Sequence, residues 1–287
     1  MRHHFSVKVG PVGFRVGSAW RGPVAALKQL YAGYPQADGG IADFTVRLEP
    51  ETFIRRWLRP SVAIAGDFML PDAVPLALRH GLLAAEMGMN LQMAMGQRHY
   101  LLLHASSVER DGKVLIITGE SGAGKSTLSA LLGEMGWRFM GDEFALVDPV
   151  TGYVYPFPRP ISLKNEAISV MAGTVGADRF GPLMSATPKG DIRHMIPSKS
   201  AIDSMAVPGK PALILFPRFG YQSEIREMGA SEVFVRLTQA STNYVVLGEL
   251  GFAALTSLIM ATAVRAIDYP DTETAITLVE KLWADLT

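Results

Sequence analysis

Eight residues near the middle of the chain, Gly119-Glu120-Ser121-Gly122-Ala123-Gly124-Lys125-Ser126, satisfy the spacing G-x-x-x-x-G-K-[S/T]. Each residue type at that spacing has a chemical reason. Glycines let successive backbone N–H groups turn inward around an anion, and a helix starting at the lysine adds the partial positive charge of its N-terminus. A lysine at position 125 of such a loop reaches the β- and γ-phosphates of a nucleotide, and the Ser126 hydroxyl is placed for Mg²⁺. The ligand this chemistry fits is ATP with Mg²⁺, and positions 119 to 126 together with Thr127 are the expected contacts. The bland alternative is a glycine-rich strand-to-helix turn with no ligand. A structural turn has no need of Lys-Ser at its helix start, so the phosphate-binding reading is preferred.

Phosphoryl transfer needs more than a cradle. It requires a carboxylate to hold the metal and, in a kinase, a base beside the acceptor hydroxyl. Asp142-Glu143 follow the strand after the loop's helix and should emerge at the same sheet edge as the loop. Asp142 is the candidate general base, and both acids, with Ser126, are candidate metal ligands; the alternative is a charged strand end exposed to solvent. His104, in Leu101-Leu-Leu-His-Ala-Ser, lies on the expected strand before the loop. It is either a hydrogen-bonded core histidine or a catalytic one. Arg159, Lys164 and Asn165 follow proline-bounded segments where a loop could face the nucleotide, and are the candidate substrate contacts. In Lys189-Gly-Asp-Ile-Arg193-His194, Arg193 is the preferred cation for the transferring phosphoryl group, with a surface-loop reading open for each of these residues.

These residues must be positioned by a scaffold, and the pattern of apolar residues outlines it. Positions 5 to 17 read as two short strands around Gly10-Pro11, and Val24, Leu27, Leu30 and Tyr31 have helical spacing that stops before Pro35. Asp43 to Leu48 alternates like a strand, and Pro60 and Pro71 punctuate a mixed region. Ala73 to Gln97 predicts one long helix whose four methionines, Met87, Met89, Met93 and Met95, pack in the core. Tyr100 to Val108 predicts a strand, Asp111-Gly112 a hairpin turn, and Val114 to Thr118 an almost wholly apolar strand running into the loop. Leu128, Leu131, Leu132 and Met135 form an amphipathic stripe closed by Gly136, and Trp137 to Met140 is a short strand. Ala212 to Phe216 reads as a buried strand ended by Pro217. Ser231 to Leu237 is an element of unassigned type, Glu249 to Ile267 is helical, and a last helix starts at the N-cap Asp271.

Composition narrows the classes of partner. With 27 acidic and 27 basic residues in 287 and 48% hydrophobic positions, the chain has ample core and no net charge to draw it to nucleic acid or to an anionic membrane. The absence of cysteine excludes disulfides and thiolate metal sites. The longest apolar stretch, Gly251 to Val264, falls short of the ~20 residues of a membrane span and runs into Arg265, so no span is expected and the cytoplasm is the default location.

The run from His104 through Ser126, followed by Gly136-Trp-Arg-Phe-Met-Gly-Asp-Glu143, resembles the catalytic domain of bacterial HPr kinase/phosphorylase, which phosphorylates a seryl hydroxyl on a small carrier protein. Over nearly its full length the chain looks closer to the HprK-related kinase A family. The residues that carry this are Gly136-Trp137, Asp142-Glu143-Phe, Arg159-Pro-Ile-Ser-Leu-Lys164-Asn165, Lys189-Gly190, Phe216-Pro217 and Asn243-Tyr244. The resemblance implies an α/β fold: a P-loop kinase core of the HPr kinase or phosphoenolpyruvate carboxykinase type with a mixed sheet, at residues 99–287, behind an N-terminal α+β region at residues 1–98. It implies metal and proton roles for His104, Asp142 and Glu143, and a possible homo-oligomer. Glu143 stands where those kinases have Asp, and Thr127 where they usually have Glu.

The expected function is an ATP-dependent transfer of the γ-phosphate to a hydroxyl acceptor, with serine of a peptide or protein favoured through the resemblance. The rivals are a small-molecule hydroxyl kinase of the same fold and a nucleotide-binding regulatory or assembly protein that transfers nothing.

Overall fold

Strict alternation of buried apolar residues along Phe5 to Val9 and Val12 to Val16 produces the first hairpin, β1 (His3–Val9) against β2 (Val12–Ser18), turning at Gly10 with φ 53. The computed structural model describes residues 2–36, 40–70 and 73–286. It falls into two units: one comprises the chain up to Gln97 with Ser162–Ala172 and Gly176–Ile196, the other Arg98–Ile161, Gly173–Val175 and Pro197–Thr287.

In the first unit α1 (Arg21–Leu30) buries Val24, Leu27 and Leu30, the stripe read from the sequence. Next come β3 (Phe44–Pro50), β4 (Ser61–Gly66) and β5 (Leu76–Ala77), which complete a five-stranded sheet in the order β1-β2-β3-β4-β5 with only β2 and β3 parallel. The helix expected from Ala73 begins later, as α2 (Gly81–Gly96), because β5 and a 3₁₀ turn occupy 76–80. Pro71 lies outside the described residues. Met89 and Met93 are fully buried, but Met87 is exposed. It sits on the solvent side of the helix, so the methionines are not uniformly core.

The second unit opens with β6 (Leu101–Leu103), β7 (Ala105–Arg110) and β8 (Lys113–Thr118). The single strand expected over 100–108 is therefore two, interrupted at His104, whose backbone N–H donates to Ala240 instead of continuing a ladder. Asp111 and Gly112 both have positive φ, as a tight two-residue hairpin turn demands. Helix α3 (Lys125–Glu134), β9 (Arg138–Gly141), β10 (Ala145–Val147) and β11 (Val154–Tyr155) follow. Leu128, Leu131 and Leu132 are buried, whereas Met135 lies beyond the last helical turn and is exposed.

The chain then contributes β12 (Ile161–Lys164), α4 (Glu166–Ala172), β13 (Met184–Thr187) and β14 (Gly190–Met195), the three strands forming a separate sheet in the order β12-β14-β13. It continues in the second unit with α5 (Lys199–Asp203), β15 (Lys210–Phe219), β16 (Glu224–Glu227), α6 (Ala230–Ala240), α7 (Tyr244–Ala261), β17 (Ala263–Tyr269) and α8 (Thr272–Ala284).

Two expectations change here. The strand expected to stop at Pro217 runs on to Phe219. Its pairing with β8 ends at Leu215, so past that point one side of the strand is open and a residue without N–H is tolerated. The helix expected over 249–267 ends at Ala261, and 263–269 is a strand, because in-register parallel pairing with β15 over seven residues outweighs the local helical spacing. Segment 231–237, left unassigned by pattern, is α6.

The second unit's main sheet is mixed, in the order β16-β17-β15-β8-β7-β9, with β17, β15 and β8 parallel and the outer pairs antiparallel. Its core gathers Ile116, Met140, Ile214, Phe216, Leu237 and Leu255, among others, beneath α6 and α7. By length and composition α7 could cross a membrane. Gly248, at φ 58 and ψ −131, breaks it, however, and the continuous helix after the break rises only about 20 Å, against about 30 Å of bilayer hydrocarbon.

Candidate functional site

The glycine-rich loop connects β8 to α3. Gly119, Gly122 and Gly124 all have positive φ, and at Gly124 a side chain would force its neighbour to move: a Cβ there would lie 2.5 Å from the Tyr269 hydroxyl. Tyr269 stands at the end of β17 and donates that hydroxyl to the Ala123 carbonyl at 2.7 Å. Burial pushes its phenol up to about 12, so it stays protonated, a hydrogen-bond donor, through the physiological range. Glu120, Ser121 and Gly122 are exposed at the loop's crest, and Ser126 and Thr127 lie half-buried in the first turn of α3. Lys125 is buried, its Nζ donating to the carbonyls of Gly119 and Glu120 at 2.8 Å each. The ammonium thus lies inside the concavity of the loop, on the carbonyls of its first residues.

Sheet register places the acids relative to this loop. Ala105 pairs with Thr118, the last residue before Gly119, and Ser107 pairs with Gly141, the last before Asp142. His104, Gly119 and Asp142-Glu143 therefore emerge at one edge of the sheet, with the loop and the acids two strand spacings apart, roughly 10 Å. At that edge the side chains divide. Asp142 is buried, and Ser106 Oγ donates to its Oδ1 at 2.8 Å. Glu143 and His104 are more open: His104 Nδ1 lies 3.1 Å from the Glu143 carbonyl and 3.8 Å from its carboxylate. His104 is not a core histidine; nearly half of its side chain, 47%, is exposed.

The remaining candidates are distributed differently. Arg159, in the second unit, is buried rather than on a surface loop. Its segment runs beside the acids, since Phe157 N donates to Met140 O at 2.6 Å, and its guanidinium lies 5.8 Å from the Phe157 ring. Lys164, Asn165 and Arg193 belong to the first unit. Asn165, at φ 48, uses its side chain to accept from Asp191 N at 3.1 Å, and so braces β12 against β14. Arg193 is in a strand, its Nε donating to Gly181 O at 2.9 Å with its guanidinium over Phe180. Asn243 joins α7 to β6: it accepts from Leu102 N and donates to Tyr100 O.

Ser106 and Tyr269 were not singled out from sequence. Ser106 had one visible signal, a small polar residue within an apolar run directly before the loop. Tyr269 had none, because its partner is 146 residues away.

The donors at this edge are a hydroxyl and two carboxylates, hard oxygen ligands of the kind Mg²⁺ takes. Among the described residues no three His, Cys, Asp or Glu form a ready-made metal cage.

The chain is thus a mixed α/β protein with a glycine-rich strand-to-helix loop and an acid pair at one edge of a mixed sheet. Among solved structures it is similar to the Hpr(Ser) kinase/phosphatase from Coxiella burnetii, at 14% identity and a TM-score of 0.30, over 64% of this chain and 91% of that one. No family model and no curated protein matches it.

Proposed function

We propose that the second unit binds MgATP on residues 119 to 127 and transfers the γ-phosphate to a hydroxyl acceptor, a serine of a peptide or protein. The observation that supports this reading is the shared edge: a glycine-rich loop opening on a helix N-terminus and a buried, oriented carboxylate stand two strands apart, with a half-exposed histidine beside them. Backbone N–H groups of 122 to 127 face the phosphates at the helix N-terminus. Lys125 leaves the Gly119 and Glu120 carbonyls for the β- and γ-phosphates. Asp142, held by Ser106, accepts the proton of the acceptor hydroxyl as its oxygen bonds to the γ-phosphorus and the bond to the bridging oxygen of ADP breaks. Ser126, Glu143 and Asp142 would hold Mg²⁺, which when bound neutralises charge on the phosphates. His104 orients Glu143. Arg159 stands by the acids as a substrate-side cation; Lys164, Asn165 and Arg193 are assigned no step.

The test is incubation of the purified protein with γ-labelled ATP, Mg²⁺ and a library of serine peptides, beside the Asp142→Asn variant. Label on peptide with the parent and none with the variant is the expected result. Nucleotide binding with no transfer to any hydroxyl, and equal cellular activity of the variant, would replace this reading with that of a regulatory nucleotide-binding protein.

A further inference from the structure

Phe219 is an aromatic ring at the sheet edge that the chemistry above does not use. Phe219 ends β15 and Tyr269 ends β17, and the two are partners in the parallel register, so their side chains stand on the same face of the sheet. Their rings are 5.8 Å apart. They differ in exposure: Tyr269 is buried with its hydroxyl on the loop, whereas Phe219 leaves 50% of its surface in solvent. Strand β15 lies between β17 and β8, the strand that runs into the loop. A Cβ at Gly119 would lie 3.7 Å from the Pro217 carbonyl, so Phe219, two residues on, flanks the loop. Gly220, at φ 89, then turns the chain away, and its N–H is pinned to the Tyr269 carbonyl at 2.9 Å. Arg218, one residue earlier, points to the opposite face, where it pairs with Asp268 and covers Tyr221 at 4.0 Å. Phe219 is therefore left over the loop side, with Tyr269 as its neighbouring ring.

Singly exposed apolar side chains are common on protein surfaces, so it is the position of this ring and not its exposure alone that matters: a half-bare aromatic face can remove area from water by covering a planar group. This one sits at the carboxyl ends of parallel strands, where open α/β sheets bind their ligands, beside a loop shaped for polyphosphate. We infer that Phe219 is the stacking platform for the nucleobase of the nucleotide whose phosphates the loop holds. This rests on the nucleotide-binding reading and adds to it a base subsite. A base stacked on a ring, with Tyr269 behind, makes the nucleoside a second anchor, independent of the phosphates.

Titration calorimetry at fixed Mg²⁺ with two probes, ATP and inorganic tripolyphosphate, separates the two anchors. The parent is expected to bind ATP more tightly than tripolyphosphate. Phe219→Ala should weaken ATP about tenfold, the usual worth of one stacked base, and leave tripolyphosphate unchanged. Lys125→Ala should lose both. Phe219→Trp keeps the platform, and its added fluorescence should respond to ATP but not to tripolyphosphate, a signal that a purely structural role would not produce. Equal parent affinities for the two probes, or a Phe219→Ala variant that weakens neither or both alike, would overturn the base subsite while leaving the loop reading intact. Binding of neither probe by the parent would overturn both.

Discussion

Ser106 and Asp142 are joined by a 2.8 Å hydrogen bond between hydroxyl and carboxylate, both groups buried at the end of the sheet that carries the glycine-rich loop. The bond fixes which way the carboxylate faces. On the proposed reading, Ser106→Ala should keep nucleotide affinity and lower the rate of phosphoryl transfer by roughly tenfold, since a general base loses rate when its orientation is lost. Removing one partner of a buried polar pair should also cost about 1–3 kcal/mol of stability, measurable as a shift in urea midpoint.

Gly124 and Tyr269 form a steric pair. Gly124→Ala places a methyl 2.5 Å from the Tyr269 hydroxyl at a backbone φ of 85, so strain at φ alone should cost about 1–2 kcal/mol, with the clash adding to it. Tyr269→Phe alone loses one hydrogen bond, about 1 kcal/mol. The double variant should be less destabilised than the sum of the singles, because the phenylalanine removes the atom that clashes while the backbone strain stays. Strict additivity in a double-mutant cycle would mean that the hydroxyl does not set the loop's shape.

On the same reading, His104→Ala should leave ATP binding within about twofold and lower transfer by roughly 10–100-fold, because the imidazole lies against Glu143. Steady-state kinetics against binding measured separately will show the split. A change in ATP affinity equal to the change in rate would move His104 into the nucleotide site.

The C-terminal helix is tied to the sheet by Glu280, which accepts from Arg110 through both carboxylate oxygens at 2.8 Å and from Trp137 Nε1 at 3.1 Å. Hydrogen bonding to the Arg110 guanidinium, above all, holds its carboxyl below the usual glutamate range. The folded state therefore binds this proton more weakly than the unfolded chain. The stabilisation is present above the unfolded pKa of ~4.3 and is lost as pH falls through the depressed native value. The side chain is 38% exposed, so solvent screening limits the contribution to about 1 kcal/mol. Glu280→Gln should melt lower at pH 7 and converge with the parent in acid; an equal deficit at every pH would assign the loss to packing against Trp137.

Much of this architecture is written in short-range pattern. The loop spacing, the leucine stripe of α3, the Asp111-Gly112 turn and the Asp271 cap each depend on neighbours within a few residues, and each appears where its pattern predicts. Where the pattern misleads, a distant partner is the cause. Helical spacing at 263–267 yields to the β15 ladder, and the apolar run at 101–108 breaks at His104 because the backbone there bonds to Ala240.

By itself, then, the sequence determined the glycine-rich loop, the strand and helix that flank it, and the identity of the acids and the histidine nearby, because those follow from residue type and local spacing. Tertiary structure alone decided that Asp142 is buried on Ser106 while Glu143 and His104 stay open, that Arg193 and Asn165 are engaged in their own unit, and that Tyr269 latches the loop beside a half-bare Phe219. Those outcomes depend on contacts between residues from a dozen to well over a hundred positions apart, and periodicity carries no information about them.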